Sequence, residues 1–191
     1  MIAQHLKSET APAHAAAERY LSEKLQAISS RHDYGIILRS LYGFYAPLQD
    51  AIFQHIKTTH LPDLSSRRTA SLILDDLTAL GISTEHIEVC TQLPAIHHPA
   101  QAFGALYVLE GSTLGGRMIS RMLKENQHVK LQPAQIRFFE GYQKETGEKW
   151  KSFLEALNQQ TDVSPIIETA NQTFHLFQNW IIRSLYYERT C

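Results

Sequence analysis

Apolar residues recur at helical spacing along almost the whole chain, and this pattern is the feature that most constrains its fold. Strand signals are scarce, because only four valines occur and no stretch alternates apolar and polar residues. A length of 191 residues suits one domain with a substantial core. The sequence therefore predicts an all-α, single-domain helical bundle of about six to eight helices over residues 1–191.

The ends of the helices are predicted from capping residues, prolines and glycines. The first expected helix starts at Leu6 or Pro12 and runs to residue 27, and the second runs from a cap at Asp33 to about residue 56, with a bend at Pro47. The third starts at Ser65 or Ser66 and ends at Gly81, and three more cover 99–126, about 133–140 and 145–159. The last runs from a cap at Ser164, with Pro165 at its first position, to Leu185. Residues 91–99 are expected to form a connector.

Charge and composition exclude several classes of protein. With 18 basic and 19 acidic residues, the net charge of −1 argues against a strongly basic nucleic-acid binder. No apolar run is long enough for a membrane span, and the first residues carry no apolar signal core. The two cysteines, Cys90 and Cys191, form neither a CxxC pair nor a disulfide framework. We expect a monomeric, cytoplasmic protein that binds neither nucleic acid nor membrane.

Glycines are concentrated in the predicted helix over 99–126, which holds four of the nine in the chain. Gly111, Gly115 and Gly116 fall within six positions, although each glycine inside a helix costs about 1 kcal/mol relative to alanine. Gly111 and Gly115 are four apart and lie on one face. Two explanations stay open, namely tight helix packing or a kink, and the close approach of a flat ligand to the main chain.

His14 is set apart from the other nine histidines by its neighbours. Six residues from 11 to 17 surround it, of which five are alanines and one is Pro12. The small alanine side chains leave space beside an imidazole. Glu18 lies four residues later on the same helical face and can orient the ring. Lys7 lies two turns earlier, about 10 Å along the axis if the helix is continuous. Taken singly, each of these residues is typical of a solvated helix surface.

These two segments together resemble the heme oxygenase family. The first matches the family's proximal helix with the pattern Leu6-Lys7-x-x-Thr10-x-x-x-His14-x-x-x-Glu18. The second matches its distal helix with the run Tyr107-Val108-Leu109-Glu110-Gly111-Ser112-Thr113-Leu114-Gly115-Gly116. The similarity is closest to the bacterial branch, and weaker matches follow at Phe138-Phe139, Lys149-Trp150-Lys151 and Phe174-x-x-Phe177.

The resemblance implies O₂- and electron-dependent cleavage of heme at a meso carbon to biliverdin, CO and free iron. An external reductase or ferredoxin would supply the electrons. The resemblance also assigns roles to individual residues: the iron ligand is His14, its hydrogen-bonding neighbour is Glu18, the propionates face Lys7 and Lys151, and the distal contacts are Gly111, Gly115 and Gly116. Tyr107 either lines the distal pocket or packs in the core.

Ser112 is a departure, because the animal-type branch has an aspartate there that organises proton delivery. Its presence supports an alternative, a heme-binding sensor or carrier without turnover. A di-iron carboxylate bundle is a further alternative, but it needs two Glu-x-x-His motifs and the chain has one, at residues 125–128. A thiaminase-like enzyme would need an activated cysteine, which neither Cys90 nor Cys191 is expected to be.

Overall fold

In the computed structural model, which describes residues 1–187, all regular structure is helical. The α-helices are α1 (Ile2–Gln26), α2 (Arg31–His55), α3 (Ser71–Ala79), α4 (Pro99–Glu125), α5 (Arg137–Glu140), α6 (Thr146–Asn158) and α7 (Val163–Tyr187). Short 3-10 turns precede three of them, at Leu64–Ser66, Pro133–Gln135 and Gln143–Glu145. The all-α prediction is confirmed, and Cys191 lies outside the described residues.

The first helix begins earlier than predicted, at Ile2 rather than at Leu6 or Pro12. Pro12 lies inside α1 because its side of the helix is exposed, so water can satisfy the carbonyl that loses its amide partner. The opposite side buries Leu6, Thr10 and Ala13, at spacings of four and three residues. Helix α1 is therefore continuous through His14, and the exposed face carries the histidine.

Two other predicted helix starts are corrected by polar contacts. The N-cap of α2 is Ser30, whose hydroxyl accepts a hydrogen bond from the Asp33 amide at 3.0 Å. The Asp33 carboxylate in turn accepts from the Ser30 amide at 2.9 Å, so Asp33 completes a capping box instead of capping alone. Helix α3 begins at Ser71, since the chain around Arg67 is extended and joins a polar network described below. Gly81, with a φ of +74°, ends this region as predicted.

The later helices follow the predicted order with different starts. Helix α7 begins at Val163, so Ser164 lies in the first turn, and its hydroxyl bonds Glu168 rather than capping the helix. The region predicted around 133–140 divides into a 3-10 turn and the short helix α5, which ends at Gly141 with a φ of +58°. The connector before α4 crosses α2, where the Cys90 amide donates to the Gly43 carbonyl at 2.8 Å.

Buried side chains from all the longer helices form one core. Helix α7 packs along both α1 and α4, while α2 covers the other side of α4. Phe44 of α2, Phe103 of α4 and Phe153 of α6 are fully buried in this core. None of the helices within residues 1–187 has the length and hydropathy needed to cross a membrane. The packing leaves α1 and α4 side by side with one face of each exposed.

Candidate functional site

Helices α1 and α4 run in the same direction and are joined near both ends of a slot. At one end, the side chains of Tyr107 and Thr10 lie close together, and the Thr10 hydroxyl donates to the Leu6 carbonyl at 2.8 Å. At the other end, the Asn126 amide donates to the Ile28 carbonyl at 3.1 Å. The helical rise places these two contacts roughly 25 Å apart along α1. The slot between them is therefore bounded in length, and each position along α1 faces a matching position along α4.

The matching positions form two stripes at helical spacing. The α1 stripe carries His14, Glu18, Leu21 and Leu25, and the α4 stripe carries Gly111, Gly115, Met118 and Met122. From the contact between Thr10 and Tyr107, equal helical rise along both helices puts Gly111 level with His14. Further along, Leu25 and Met122 border an open groove of about 400 Å³. Met118 also borders this groove and is 70% exposed, so the apolar face of α4 has no protein cover along this part of the slot.

His14 projects into solvent with 56% of its side chain exposed. One edge of its ring contacts Phe174 of α7, at a centroid distance of 5.3 Å. Its Nε2 atom lies 3.8 Å from Glu18 Oε2, beyond hydrogen-bond range, so the pair is in electrostatic contact only. The neighbouring Ala11 and Ala15 are exposed as well. The predicted hydrogen bond between His14 and Glu18 is not formed in this structure, although their side chains lie within 4 Å of each other. Small side chains leave space around the imidazole.

The glycines of α4 differ in what surrounds them. A Cβ at Gly115 would meet no atom within 4 Å, and one at Gly111 would meet only the indole of Trp150 at 3.9 Å. A Cβ at Gly116 would instead collide with the carbonyl oxygen of Phe139 in α5. Gly111 and Gly115 therefore lie on an open face of α4. Gly116 lies against α5, where the absence of a side chain allows the two helices to pack closely.

Ser112 also faces away from the slot, about 100° around the helix from Gly111. Its hydroxyl donates to the Leu109 carbonyl at 2.7 Å and accepts from Arg68 Nη2 at 2.6 Å. Thr113 makes a similar bond to the carbonyl of Glu110, three residues before it, at 2.7 Å. Hydroxyls that bond carbonyls within their own helix favour a local bend. The turn that carries Gly111 is thus shaped by side chains behind it.

The two predicted propionate partners lie at the surface. Lys7 is exposed on the continuous helix α1, two turns before His14, which preserves the predicted separation of about 10 Å along the axis. Lys151 is 79% exposed and lies 3.9 Å from Glu155, one turn along α6. Its neighbour Lys149 points inward and binds Asp63 at 3.1 Å. Neither Lys7 nor Lys151 is held in place within the slot.

A buried polar network behind α4 was missed in the sequence. Arg67 Nη1 binds Glu110 Oε2 at 2.7 Å, and its Nη2 binds Asp63 Oδ1 at 2.8 Å. The Tyr142 hydroxyl donates to Glu110 Oε1 at 2.9 Å. Burial, together with the nearby charge of Glu110, raises the pKa of Tyr142 well above its usual range. The available signal was a glutamate on an apolar helix beside Gly111, which requires a cation once buried.

Trp150 and Phe174 complete the walls of the slot. The Trp150 ring stacks on Phe153 at 5.4 Å and lies 5.7 Å from Tyr107, between centroids. Burial raises the pKa of Tyr107, whose contact with Thr10 acts in the opposite direction. These aromatic groups surround the end of the slot nearest His14 and Gly111. Both Trp150 and Phe174 lie in the segments that matched the family weakly.

The slot offers one imidazole, that of His14, and a stretch of α4 backbone without side chains, in a crevice that is open to solvent. Such a site fits a flat apolar ligand with a metal at its centre, because Gly111 and Gly115 leave the space that a Cβ would fill. Within residues 1–187, no three side chains of the His, Cys, Asp or Glu type form a metal-binding group. Glu125 binds Arg121 at 2.8 Å, and burial raises the pKa of Cys90. Within residues 1–187, Glu125 is therefore engaged by Arg121 and the Cys90 thiol is not activated.

Comparison with known proteins identifies a family for the chain. The sequence model of the family described as heme oxygenase matches residues 1–183. A heme oxygenase of Xanthomonas campestris pv. campestris (strain 8004) is 31% identical over 107 residues, which cover 54% of this chain and 62% of that protein. The chain thus matches less than two thirds of this relative's length.

The fold is similar to a solved structure as well. The NO- and CO-bound heme oxygenase from Neisseria meningitidis superposes with a TM-score of 0.76 at 20% identity, covering 97% of this chain and 92% of that one. At this identity the likeness concerns the fold, whereas the family match spans almost the whole sequence. The all-α architecture, the slot and the family match lead to one assignment. The chain belongs to the heme oxygenase family.

Proposed function

We propose that this protein binds heme in the slot between α1 and α4 and cleaves it at a meso carbon to biliverdin, CO and free iron, using O₂ and external electrons. The observation that carries the proposal is the register across the slot. With Thr10 beside Tyr107 and the two helices parallel, the helical rise puts His14 level with Gly111 and Gly115, the two glycines of α4 whose Cβ positions are open. A planar ligand held by the imidazole fits directly beneath this main chain.

His14 is the proposed iron ligand. Its exposed ring needs no protein group to move away before a metal can approach. Glu18, whose Oε2 lies 3.8 Å from Nε2 of the ring, would orient the imidazole if it accepted a hydrogen bond from the nitrogen that does not bind iron, and that bond would make the ligating nitrogen a better donor. Phe174 contacts the ring from the side of α7 and limits its rotation.

Lys7 and Lys151 are the proposed partners of the two propionates. Each is an exposed ammonium group that can move toward a carboxylate at the rim of the slot. The approach of Tyr107 to Thr10 narrows the slot on that side and would limit how far a macrocycle can slide along α1. The propionates and this narrow end would together determine the rotation of heme about its iron axis.

Gly111 and Gly115 form the proposed roof of the site. Heme itself supplies both the iron that binds and reduces O₂ and the carbon that is oxidised. The chain's contribution is to exclude bulk water and to limit the space above the macrocycle, because the main chain at these glycines approaches without side chains. A larger residue at either position would occupy the space that the ligand needs.

Electrons would come from a reductase or ferredoxin, because amino-acid side chains hold no store of reducing equivalents for repeated turnover. We further propose that the protein acts as a monomer in the cytoplasm. A second candidate function is heme binding without turnover, by a sensor or carrier. One observation favours it, since the Ser112 hydroxyl is already engaged by Leu109 and Arg68 and is not directed at the slot.

The test is a hemin titration of His14→Ala, with His5→Ala as the matched control. Both histidines lie in α1, both are exposed, and each has a glutamate four residues later, at 3.8 Å for His14 and 3.7 Å for His5. Only His14 faces the glycines of α4. We expect His14→Ala to lose the absorbance spectrum of imidazole-ligated heme, whereas His5→Ala keeps it.

Turnover is then measured by adding a reductant in air to the hemin complex of the unchanged protein. Conversion of the Soret band to a biliverdin spectrum is expected, and an unchanged Soret band would favour the sensor or carrier. Retention of the imidazole-ligated spectrum in His14→Ala would overturn the assignment of the ligand. Loss of that spectrum in both variants would show that α1 as a whole, and not His14, is needed.

A further inference from the structure

Arg68 contacts the turn of α4 that carries Gly111, from the side opposite the slot. Its Nη2 atom donates to the Leu109 carbonyl at 2.9 Å and to the Ser112 hydroxyl at 2.6 Å. Its Nη1 atom donates to the Phe138 carbonyl at 3.1 Å, which belongs to α5. One planar guanidinium therefore joins two positions of α4 to a neighbouring helix, a geometry that a lysine cannot reproduce.

The guanidinium is itself firmly placed. It lies over the Phe138 ring, 4.2 Å from its centroid. Its main chain is fixed as well, because the Arg68 amide donates to the Tyr142 hydroxyl at 2.8 Å and its carbonyl accepts from Gln49 at 3.1 Å. Arg68 can therefore act as a rigid support.

The turn that Arg68 contacts is weak without support. Gly111, Gly115 and Gly116 lower its helical stability by about 1 kcal/mol each relative to alanine. The hydroxyls of Ser112 and Thr113 also compete for carbonyls of the same helix. Contacts on the slot side stabilise this turn little, since a Cβ at Gly115 would meet no atom there within 4 Å. Support for this turn must come from behind.

We propose that Arg68 is a positioning residue of the site, which fixes the turn from residue 109 to 116 so that Gly111 and Gly115 stay at a set height above His14. The engagement of Ser112 is part of this support, so the Ser112 hydroxyl acts on Arg68 and Leu109 rather than on a bound ligand. The link to heme chemistry rests on the proposed function. The mechanical part of the proposal concerns the ligand-free chain alone.

Amide hydrogen exchange in the ligand-free protein tests the mechanical part. We expect Arg68→Lys and Arg68→Met to speed exchange in peptides covering 109–116 by about ten- to a hundredfold, since two or more hydrogen bonds are lost. Ser112→Ala removes one of them and should give a smaller, several-fold increase. The matched control is Arg39→Lys, because Arg39 also donates to backbone carbonyls, those of Ser83, Glu85 and His86, far from α4. It should leave 109–116 unchanged.

A spectroscopic pH profile tests the link to the site. In the hemin complex of Arg68→Met, the pH at which the ferric spectrum changes from its acid to its alkaline form should rise by at least about half a unit, because a positive charge behind the roof is removed. Hemin affinity should change by less than about threefold, and Arg39→Lys should match the unchanged protein.

The outcomes separate the two proposals. Unchanged hydrogen exchange over 109–116 in both Arg68 variants would overturn the positioning role. It would also be overturned if Arg68→Lys and Ser112→Ala sped exchange equally in every peptide of the protein, because the effect would then not be local to α4. An unshifted pH profile together with faster exchange would limit Arg68 to structural support and would also overturn its role at the site. If the unchanged protein binds no hemin, the proposed function fails, while the exchange result still decides whether Arg68 holds α4.

Discussion

Gly104 and Gly116 occupy α4 for a different physical reason than Gly111 and Gly115. A Cβ at Gly104 would collide with the carbonyl oxygen of Ile166, and one at Gly116 would collide with that of Phe139. At the second pair, the space is open or bordered only by the edge of an indole ring. Four glycines in one helix thus divide into two that bring neighbouring backbone close and two that leave room for something outside the protein.

The same contrast extends to the two sides of α4. Behind the helix, Arg67, Glu110 and Tyr142 form a buried network with short hydrogen bonds. In front, Leu114 and Met118 are exposed, although both are large and apolar. A ligand site needs an open front, and a helix with three closely spaced glycines can maintain one only if its rear is held firmly. Differences in unfolding free energy can test this division, from the most damaging change to the mildest.

Loss of the ion pair behind α4 should have the largest effect. Arg67→Met leaves Glu110 charged and buried, so we expect the free energy of unfolding to fall by about 3–5 kcal/mol in urea titrations. The control is Arg121→Met, at the border of the groove, whose solvent-exposed pair with Glu125 should contribute far less to the unfolding free energy. Similar losses in the two variants would contradict a rear support for α4.

The next effect depends on pH and concerns Asp76, which holds α5 against Gly116. Its two carboxylate oxygens accept the amides of Arg137 and Phe138, each at 2.9 Å. Burial raises the pKa of Asp76 to about 6, against the pull of those amide bonds. The folded state therefore favours the protonated form. Asp76 stabilises the fold most below pH 4, and this contribution falls by up to about 3 kcal/mol as the pH rises to 6.

Urea titrations between pH 3.5 and 7 can measure this dependence. Relative to Asp76→Asn, the unchanged protein should lose unfolding free energy as the pH rises from about 4 to 6 and stay level above that range. Asp75→Asn, whose carboxylate is half-exposed beside Arg137, is the adjacent control and should keep the dependence. If the unfolding free energy of the unchanged protein instead rose with pH relative to that of Asp76→Asn, the amide hydrogen bonds would outweigh the effect of burial on Asp76.

Gly116→Ala tests the packing glycines directly. The added methyl group would force α4 and α5 apart at the Phe139 carbonyl, and we expect a loss of about 1–3 kcal/mol in unfolding free energy. Gly104→Ala should lose a similar amount, because its obstacle is likewise a backbone carbonyl. Stability equal to that of the unchanged protein at both positions would mean that the helices can separate at no cost.

Gly115→Ala should give the smallest change and the opposite sign. Alanine is the better helix former and meets no neighbour, so the ligand-free protein should gain about 0.5–1 kcal/mol. Hemin affinity, measured by absorbance, should fall in the same variant because the methyl group enters the slot. A loss of stability as large as that of Gly116→Ala would contradict the separation of the glycines into two pairs.

The sequence alone predicted those features that depend on spacing within one helix. The exposed pairing of His14 with Glu18, the length of α4 and the shared face of Gly111 and Gly115 all follow from a period of 3.6 residues. Gly116 was grouped with the other two because the obstacle that distinguishes it, Phe139, lies 23 residues away on another helix.

Long-range polar contacts account for most of what sequence reasoning missed. Arg67 and Glu110 are 43 residues apart, and nothing in their local sequence indicates that they meet. The same network keeps the chain before α3 extended, which is why that helix starts at Ser71 and not at Ser65 or Ser66. Ser112 could be recognised as unusual, but its engagement by Arg68 depends on the folding of two separate segments.

The joining of α1 to α4 at Thr10 and at Ile28 has a consequence for biosynthesis. The two walls of the slot come from distant parts of the chain, and the residue beside His14 belongs to α7, the final helix. A nascent polypeptide emerging from the ribosome therefore lacks a finished crevice until α7 has been translated and docked. If heme is the ligand, as proposed, the complete site is available to it only after α7 has docked.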